Sequence, residues 1–141
     1  MTNVKSEFPE LTFSIRVYYE DTDAGGIVYY ANFLKFFERA RTEYLRHYGI
    51  EQDQWLANRV GFVVRRTEID NLAPARFNQQ LTVFSKITRM KKASLVFEQY
   101  VIDEAERLLC KGETLIACVN FDQMKPISIP KEIVEVIVSA N

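Results

Sequence analysis

The stretch YYEDTDAGGIVYYANFLKFFERARTEYLR, residues 18–46, decides the fold of this chain. It places an acidic loop with two glycines directly before the longest helical pattern in the sequence. From residue 31 to residue 48, apolar side chains recur every three or four positions, which predicts a helix with one broad buried face, ended by Gly49. A helix of this length spans roughly 27 Å, so we expect a sheet to wrap around it. The apolar positions are Phe33, Phe37, Ala40, Tyr44 and Tyr48, widened by Leu34, Phe36 and Leu45.

The loop before this helix has the chemistry of an anion-stabilising site. The first N–H groups of a helix lack partners inside it, and the aligned peptide dipoles leave partial positive charge there. Gly25 and Gly26 allow a tight bend and a close approach to a ligand. Two interpretations stay open from the residues alone. Either Asp21 or Asp23 caps a turn, as Asp often does beside glycine, or Asp23 and backbone donors converge on a ligand.

The rest of the chain predicts an antiparallel sheet. Alternating apolar and polar residues predict a half-buried strand that leads into the acidic loop, and short polar turns separate the later strands. The predicted fold class is α+β, with about five antiparallel strands around one long central helix, in a single domain over residues 1–141. Gly112 is predicted to mark a bulge in the last long strand, and Pro130 to begin a short terminal helix. The predicted strands are residues 11–19, 60–69, 81–90, 93–103 and 107–121, with a helical or irregular link at 50–58.

Composition and charge exclude several classes of function. The 18 basic and 19 acidic residues give a formal net charge of −1, so no general attraction to nucleic acid or to an anionic membrane is expected. The sequence has no signal peptide pattern and no apolar run of roughly eighteen residues, which predicts a cytoplasmic protein without stable membrane insertion. Cys110 and Cys118 lie too far apart along one predicted strand to form a disulfide, so we expect buried, reduced thiols.

Motifs of other catalytic classes are missing from the sequence. No His/Cys cluster has metal-ligand spacing and no glycine-rich phosphate loop is present, so we expect neither a metal nor a cofactor. The single histidine, His47, falls at the far end of the long helix, where it more readily meets the helix dipole than a substrate. A Ser-His-Asp hydrolase is therefore not expected.

The pattern R-V-x-x-x-x-T-D-x-x-G-I-V-Y-Y-x-x-F, from Arg16 to Phe33, resembles the signature of the 4-hydroxybenzoyl-CoA thioesterase family. Within that family, the chain is most similar to the short acyl-CoA thioesterases associated with the bacterial Tol-Pal system. The resemblance extends through ERARTEYLR, FVVRRTEIDNLAPARFNQQL, RMKKASLVFEQ and MKPISIP. It implies the hot-dog fold, in which an antiparallel sheet curls around one long helix, and hydrolysis of acyl-CoA thioesters. It also implies a homodimer or homotetramer with sites at the subunit interface.

The resemblance assigns the catalytic carboxylate to Asp23, the second Asp of the D-x-D loop. Asp23 would either activate water as a general base or attack the thioester directly, and the sequence does not choose between these routes. Tyr30 stands where the Tol-Pal-associated members usually have His. It matches an aromatic residue of the hydroxybenzoyl branch, whose backbone N–H points at the thioester carbonyl. Gly26 would let the backbone approach the substrate, and Tyr29, Phe33, Phe62 and Val64 are candidates for an acyl slot, although each also fits an ordinary core.

One local excess of positive charge surrounds a predicted turn and consists of Lys86, Arg89, Lys91 and Lys92. These side chains are either a solvated hairpin tip or phosphate ligands. The resemblance implies that Arg89, Lys91, Lys92 and Ser94 contact the nucleotide end of coenzyme A.

Three alternative functions remain at this level. A non-hydrolytic hot-dog protein that only binds acyl thioesters or a partner protein is supported by Tyr30 in place of His. A dehydratase acting on acyl carrier protein would require a catalytic histidine beside a carboxylate, and a nucleic-acid-binding domain would require basic residues interleaved with aromatic ones. The sequence supports these last two less well.

Overall fold

The computed structural model describes residues 8–139, and its long helix lies where the sequence predicted it. The helix begins at Asn32 and ends at His47, with Ala31 and Tyr48 as its flanking caps, which agrees with the predicted range to one residue at each end. The elements are β1 (Leu11–Arg16), α1 (Asn32–His47), α2 (Gln52–Ala57), β2 (Val60–Asn71), β3 (Gln80–Met90), β4 (Ser94–Ile102), β5 (Leu108–Asn120), β6 (Lys125–Pro126) and α3 (Lys131–Ser139), with a 3₁₀ turn at Tyr19–Asp21.

The strands form one antiparallel sheet in the order β1-β3-β4-β5-β2, and the two-residue strand β6 pairs with β5. Strands β3, β4 and β5 are consecutive neighbours joined by short turns, whereas β1 and β2 occupy the two edges. Because α1 packs against one face of this curled sheet, the predicted α+β hot-dog architecture of about five strands is confirmed.

Alternation along the strands places the core between α1 and the sheet. On β3, every second residue from Leu81 to Ile87 is buried, and β4 alternates in the same way. The buried side chains form two apolar clusters. The first surrounds the early turns of α1 and includes Phe33, Phe36, Phe37, Val28, Leu81, Val83 and Val101. The second surrounds its later turns and includes Tyr44, Leu45, Ile87, Leu95, Phe97, Ile116 and Ile133.

Seven predicted strand boundaries, five of them by a single residue, and one predicted irregularity differ from the structure. Strand β1 ends at Arg16 rather than residue 19, because the exposed Tyr18 precedes the 3₁₀ turn Tyr19–Asp21. Strand β2 continues two residues beyond the predicted end, to Asn71, and β4 begins one residue later than predicted, at Ser94. The predicted bulge at Gly112 is wrong, since Gly112 pairs in regular register with both Ile69 and Gln99.

Close packing explains the glycine at position 112. A Cβ there would lie 3.0 Å from the backbone oxygen of Glu68 and 3.4 Å from Cε2 of Phe37. The missing side chain therefore lets α1 approach the sheet at this point. The register irregularities occur elsewhere, between Val64 and Arg66, between Ile87 and Arg89, and between Val101 and Ile102.

Two further expectations concern the thiols and membrane spans. Cys110 and Cys118 are buried free thiols, as predicted. Among the helices within residues 8–139, none is both long enough and apolar enough to cross a membrane.

Candidate active site

A tight loop between β1 and α1 presents Asp23. Thr22 and Val28 form an isolated antiparallel bridge, and the N–H of Asp23 donates to the carbonyl oxygen of Ile27 at 2.9 Å. The N–H of Gly26 donates back to the carbonyl oxygen of Asp23 at 3.0 Å. Gly26 adopts a φ of +78°, which residues with a Cβ rarely adopt, so the loop needs glycine at this position.

Asp21 holds this loop against the start of α1. Its side chain is buried, and its carboxylate accepts a hydrogen bond from the N–H of Tyr18 at 2.9 Å. Its carbonyl oxygen accepts from the N–H of Tyr29 at 3.2 Å and from Nδ2 of Asn32 at 2.7 Å. Because Asn32 is the first residue of α1, Asp21 fixes the loop to the helix. The turn-capping interpretation is therefore correct for Asp21.

Asp23 differs from Asp21 because its side chain is exposed. Its Oδ1 accepts a hydrogen bond from the N–H of Gly25 at 2.8 Å. Its Oδ2 accepts no hydrogen bond from any donor within residues 8–139. Asp23 thus stabilises its own turn with one oxygen and leaves the other oxygen free for a ligand or a water molecule.

The start of α1 provides unused backbone donors close to this loop. The N–H groups of Asn32 and Phe33 donate to the carbonyl oxygens of Tyr29 and Tyr30 at 2.8 and 3.2 Å. In the part of the chain that the structure describes, the N–H groups of Tyr30 and Ala31 have no acceptor. The N-cap residue of α1 is Ala31, whose side chain cannot accept a hydrogen bond from these N–H groups. These donors lie at the positive end of the helix dipole, where negative charge is stabilised.

The remaining predicted residues of the loop fall into two environments. Tyr29 and Tyr30 are 50% and 60% exposed, and their ring centroids lie 4.9 Å apart. The adjacent Tyr30 hydroxyl raises the pKa of Tyr29. Phe33 is instead 2% exposed and packs edge-on against Phe36 in the first apolar cluster. The two tyrosines border the loop, whereas a substrate contact by Phe33 stays a prediction.

The predicted basic residues surround the turn between β3 and β4. Arg89, Lys91 and Lys92 are exposed, and the N–H of Lys91 donates to the carbonyl oxygen of Ser94 at 2.8 Å to close the turn. The ammonium of Lys86 lies 3.8 Å from Oε1 of Glu98, and Lys86 is thereby paired.

A pocket of about 250 Å³ beside this turn also contains Arg66, which the sequence reasoning did not single out. Arg66 comes from β2 and lines the pocket together with Arg89 and Lys91. Its guanidinium donates to Oε1 of Glu68 at 3.0 Å. The signal in the sequence was the Arg65-Arg66 pair that follows the apolar first half of β2, and strand order was needed to place it beside the turn.

The structure places the acidic loop and the basic turn at opposite ends of the sheet. Ile27 forms a bridge with Arg76, just before β3 begins at Gln80, whereas Lys91 follows the end of β3 at Met90. Strand β3 has 11 residues, which corresponds to roughly 33 Å along the strand. One chain therefore does not bring Asp23 together with Arg89, Lys91, Lys92 and Ser94.

The two acyl-slot candidates on β2, Phe62 and Val64, also lie at the end of the sheet that carries the basic β3–β4 turn, here called the basic end. Phe62 pairs with Cys118 and packs against the second apolar cluster. Val64 is 53% exposed on the edge strand. Neither residue is close to Asp23 of the same chain, since β2 starts at the basic end and reaches the acidic end only at Asn71, which pairs with Cys110.

Residues suited to metal binding are dispersed. Within residues 8–139, no group of three or more His, Cys, Asp or Glu side chains could hold a metal ion. His47 is exposed at the C-terminal end of α1, and its ring contacts Tyr48 with centroids 4.9 Å apart. It is remote from the acidic loop.

Comparison with known proteins gives one consistent family. The sequence profile of the thioesterase-like superfamily matches residues 17–137. The acyl-CoA thioester hydrolase YbgC of Escherichia coli is 48% identical over 120 residues, covering 85% of this chain and 90% of that protein. The acyl-CoA thioesterase YbgC of Haemophilus influenzae is 43% identical over 123 residues, covering 86% and 90%. The crystal structure of a probable thioesterase from Bartonella henselae superposes with a TM-score of 0.81 at 37% identity, covering 86% of this chain and 100% of that one.

Proposed function

The chain belongs to the thioesterase-like superfamily and is an acyl-CoA thioester hydrolase, and from this premise we propose that Asp23 and the free N–H of Tyr30 carry the reaction. The observation that supports this assignment is their common setting. An exposed carboxylate with one unused oxygen and a backbone donor without an acceptor lie on the two arms of one loop, at the start of α1. The non-hydrolytic alternative is not favoured, because the similar proteins are named as hydrolases.

The chemistry follows from how charge develops during thioester hydrolysis. Attack on the carbonyl carbon pushes negative charge onto its oxygen, and the N–H of Tyr30 stabilises that charge at the positive end of α1. One such donor typically contributes about 2.7 to 4 kcal/mol to the transition state. The carbon–sulfur bond then breaks, and the products are the free acid and the coenzyme A thiol.

Two roles fit the free oxygen of Asp23. As a general base it removes a proton from the attacking water, and as a nucleophile it forms an acyl anhydride that water then hydrolyses. Mass spectrometry on an acid-quenched single turnover separates the roles. The nucleophilic route adds the mass of the acyl group to a peptide containing Asp23, and the general-base route adds nothing.

The first test is thiol release from a panel of short-chain, long-chain and aromatic acyl-CoAs. We expect Asp23→Asn to lower kcat at least about a hundredfold, or about 2.7 kcal/mol, because the amide neither attacks nor accepts a proton. Glu20→Gln removes an exposed carboxylate three positions earlier and serves as the matched control with near wild-type activity. Asp23→Asn with undiminished turnover would disprove the assignment.

Tyrosine 30 is tested separately, because its proposed contribution is the backbone N–H. Tyr30→Phe keeps that N–H and should keep kcat within about threefold, a loss near 0.6 kcal/mol. Tyr30→His adds the imidazole that the Tol-Pal-associated members carry, and its rate measures what an imidazole contributes at this position. A large loss in Tyr30→Phe would instead indicate that the hydroxyl acts.

We further propose that two copies of the chain complete each site. The acidic loop that carries Asp23 and the basic β3–β4 turn lie at opposite ends of the sheet. Strand β2 is an edge strand that runs between these two ends. Antiparallel pairing of β2 with β2 of a second copy places the basic end of one chain beside the acidic end of the other. Arg89, Lys91, Lys92 and Ser94, with Arg66, would then bind the phosphates of an acyl-CoA held by the other chain's loop.

Mixing two inactive variants tests the shared site. A chain with Asp23→Asn is refolded with a chain that carries Arg89→Ala and Lys91→Ala. In a mixed dimer, one site has both defects and the other has neither, so random mixing should restore about one quarter of the wild-type rate. Each variant alone should stay inactive at low substrate concentration. Failure of the mixture to gain activity would place both groups in one chain.

Other properties remain predictions. These are the acyl group, the choice between a homodimer and a homotetramer, the single domain over residues 1–141 and the cytoplasmic location.

A further inference from the structure

A buried hydrogen-bond network separates the two apolar clusters of the core. Its centre is Gln99, which is 1% exposed, and its other members are Arg41 on α1 and Ser85 on β3. Oε1 of Gln99 accepts from Nη1 of Arg41 at 3.0 Å, and Nε2 of Gln99 donates to Oγ of Ser85 at 2.9 Å. The same Nε2 donates to the carbonyl oxygen of Phe37 at 3.0 Å. The Gln99 amide thus uses both its oxygen and its nitrogen.

This network is a weak source of stability. Arg41 is buried, yet within residues 8–139 no carboxylate lies within salt-bridge distance of its guanidinium. Burial accordingly lowers the pKa of Arg41. Replacing buried polar and charged groups with well-packed apolar side chains is often neutral or stabilising. Another property of the network must therefore account for its place in the core.

The network provides directional contacts between α1 and the sheet. Apolar contacts in the two clusters are not directional, so they resist sliding or rotation of the helix less specifically than hydrogen bonds do. Gln99 holds α1 at both the Phe37 carbonyl and the Arg41 side chain. Phe37 lies five residues after Asn32, the first residue of α1, or about 7.5 Å along the helix axis. Because α1 is rigid over this distance, a displacement of the helix at Phe37 also displaces its first turn.

We propose that Gln99 is a positioning residue, which holds α1 on the sheet so that the N–H of Tyr30 meets the thioester carbonyl. This inference rests on the proposed function of Tyr30 and Asp23. Because the Gln99 side chain is buried in the core, its proposed effect on the reaction acts through α1. A displacement of about 1 Å at a reacting group can lower a rate about a hundredfold, so partial freedom of α1 should lower kcat about tenfold. KM should stay within twofold, because the proposed phosphate contacts lie on other elements.

The variant that tests this replaces the two larger side chains of the network with apolar ones in one step. In Arg41→Met with Gln99→Leu, no buried guanidinium is left without a partner, so the chain should fold with a melting temperature close to that of wild type. We expect kcat to fall about tenfold, KM to change less than twofold, and the affinity for free coenzyme A to stay the same. A purely structural role would lower the melting temperature and leave kcat of the folded enzyme unchanged.

Two further variants keep the test decisive. Ser85→Ala removes one hydrogen bond of Gln99 and should lower kcat about threefold with KM unchanged, even if the double variant does not fold. Tyr44→Phe is the matched control, because its hydroxyl ties α1 to the carbonyl oxygen of Pro9 at 2.8 Å without involving the network. It should lower stability and keep kcat. Wild-type kcat in Ser85→Ala and in any folded double variant would overturn the proposal, whereas an active Asp23→Asn in the same assay would overturn the assignment of the site.

Discussion

Two carboxylates two positions apart in the sequence have different environments in the folded loop. Asp21 is buried and holds the loop to α1, whereas Asp23 is exposed and keeps one oxygen free. The sequence could predict that the loop caps a turn and could carry chemistry. The family resemblance assigned the catalytic carboxylate to Asp23, but the residue types alone could not predict which carboxylate is buried, because that depends on the approach of Tyr18 and Tyr29 after the chain folds back.

At the same scale, Gly26 should be hard to replace. Gly26→Ala places a Cβ at a φ of +78°, which costs about 1–2 kcal/mol of the free energy of unfolding. Urea denaturation measures this loss. Gly25→Ala is the control, since Gly25 lies outside the positive-φ region and its new Cβ would meet only Oδ1 of Asp23, at 3.3 Å. Equal effects in the two variants would contradict this explanation.

The buried thiols predict how stability depends on pH. Burial raises the pKa of Cys110 to about 12 and that of Cys118 to about 11, against a usual value near 9. Between pH 9 and pH 11 the unfolded chain loses these protons while the folded chain keeps them, so the free energy of unfolding falls as pH rises. Urea denaturation at several pH values should show a shallower fall in Cys118→Ala than in wild type. An identical fall would show that this thiol does not contribute.

At the scale of elements, the periodicities of 3.6 and 2 located α1 and the long strands, because those residues face a single core. The alternation of inward- and outward-facing residues on β4 also places Gln99 on the buried face, between Phe97 and Val101. The sequence could not supply its partners, since Arg41 and Ser85 lie on other elements and meet Gln99 only in the folded sheet. It also misjudged Gly112, whose missing side chain accommodates α1 rather than a bulge.

The approach of α1 to β5 is tested at Gly112. Gly112→Ala brings a Cβ against Cε2 of Phe37 and the carbonyl oxygen of Glu68. Overpacking of this kind costs about 1–3 kcal/mol, which should lower the urea midpoint. A bulge would tolerate the extra methyl group, so an unchanged midpoint would contradict the close packing described here.

At the scale of the whole molecule, the free edge of β2 should control assembly. Val64→Lys places a charge on an exposed apolar position of that edge, which disfavours pairing with a second strand. Analytical ultracentrifugation should then detect single chains, and turnover at low acyl-CoA concentration should fall together with assembly. Val138→Lys, at a comparably exposed valine on α3, is the control and should remain assembled. A fully active single-chain Val64→Lys protein would refute the shared site.

The strand order also has a consequence for synthesis of the chain. Strand β2 ends at Asn71, but its neighbour β5 begins only at Leu108, after β3 and β4 have been made. During translation β2 therefore cannot pair until β5 has been synthesised. Pairing between strands that are far apart in the sequence slows folding. The β3-β4-β5 meander can form first from local contacts. The edge that we propose for assembly is thus among the last parts to be completed, and we expect nascent chains that stop before β5 to be the aggregation-prone species.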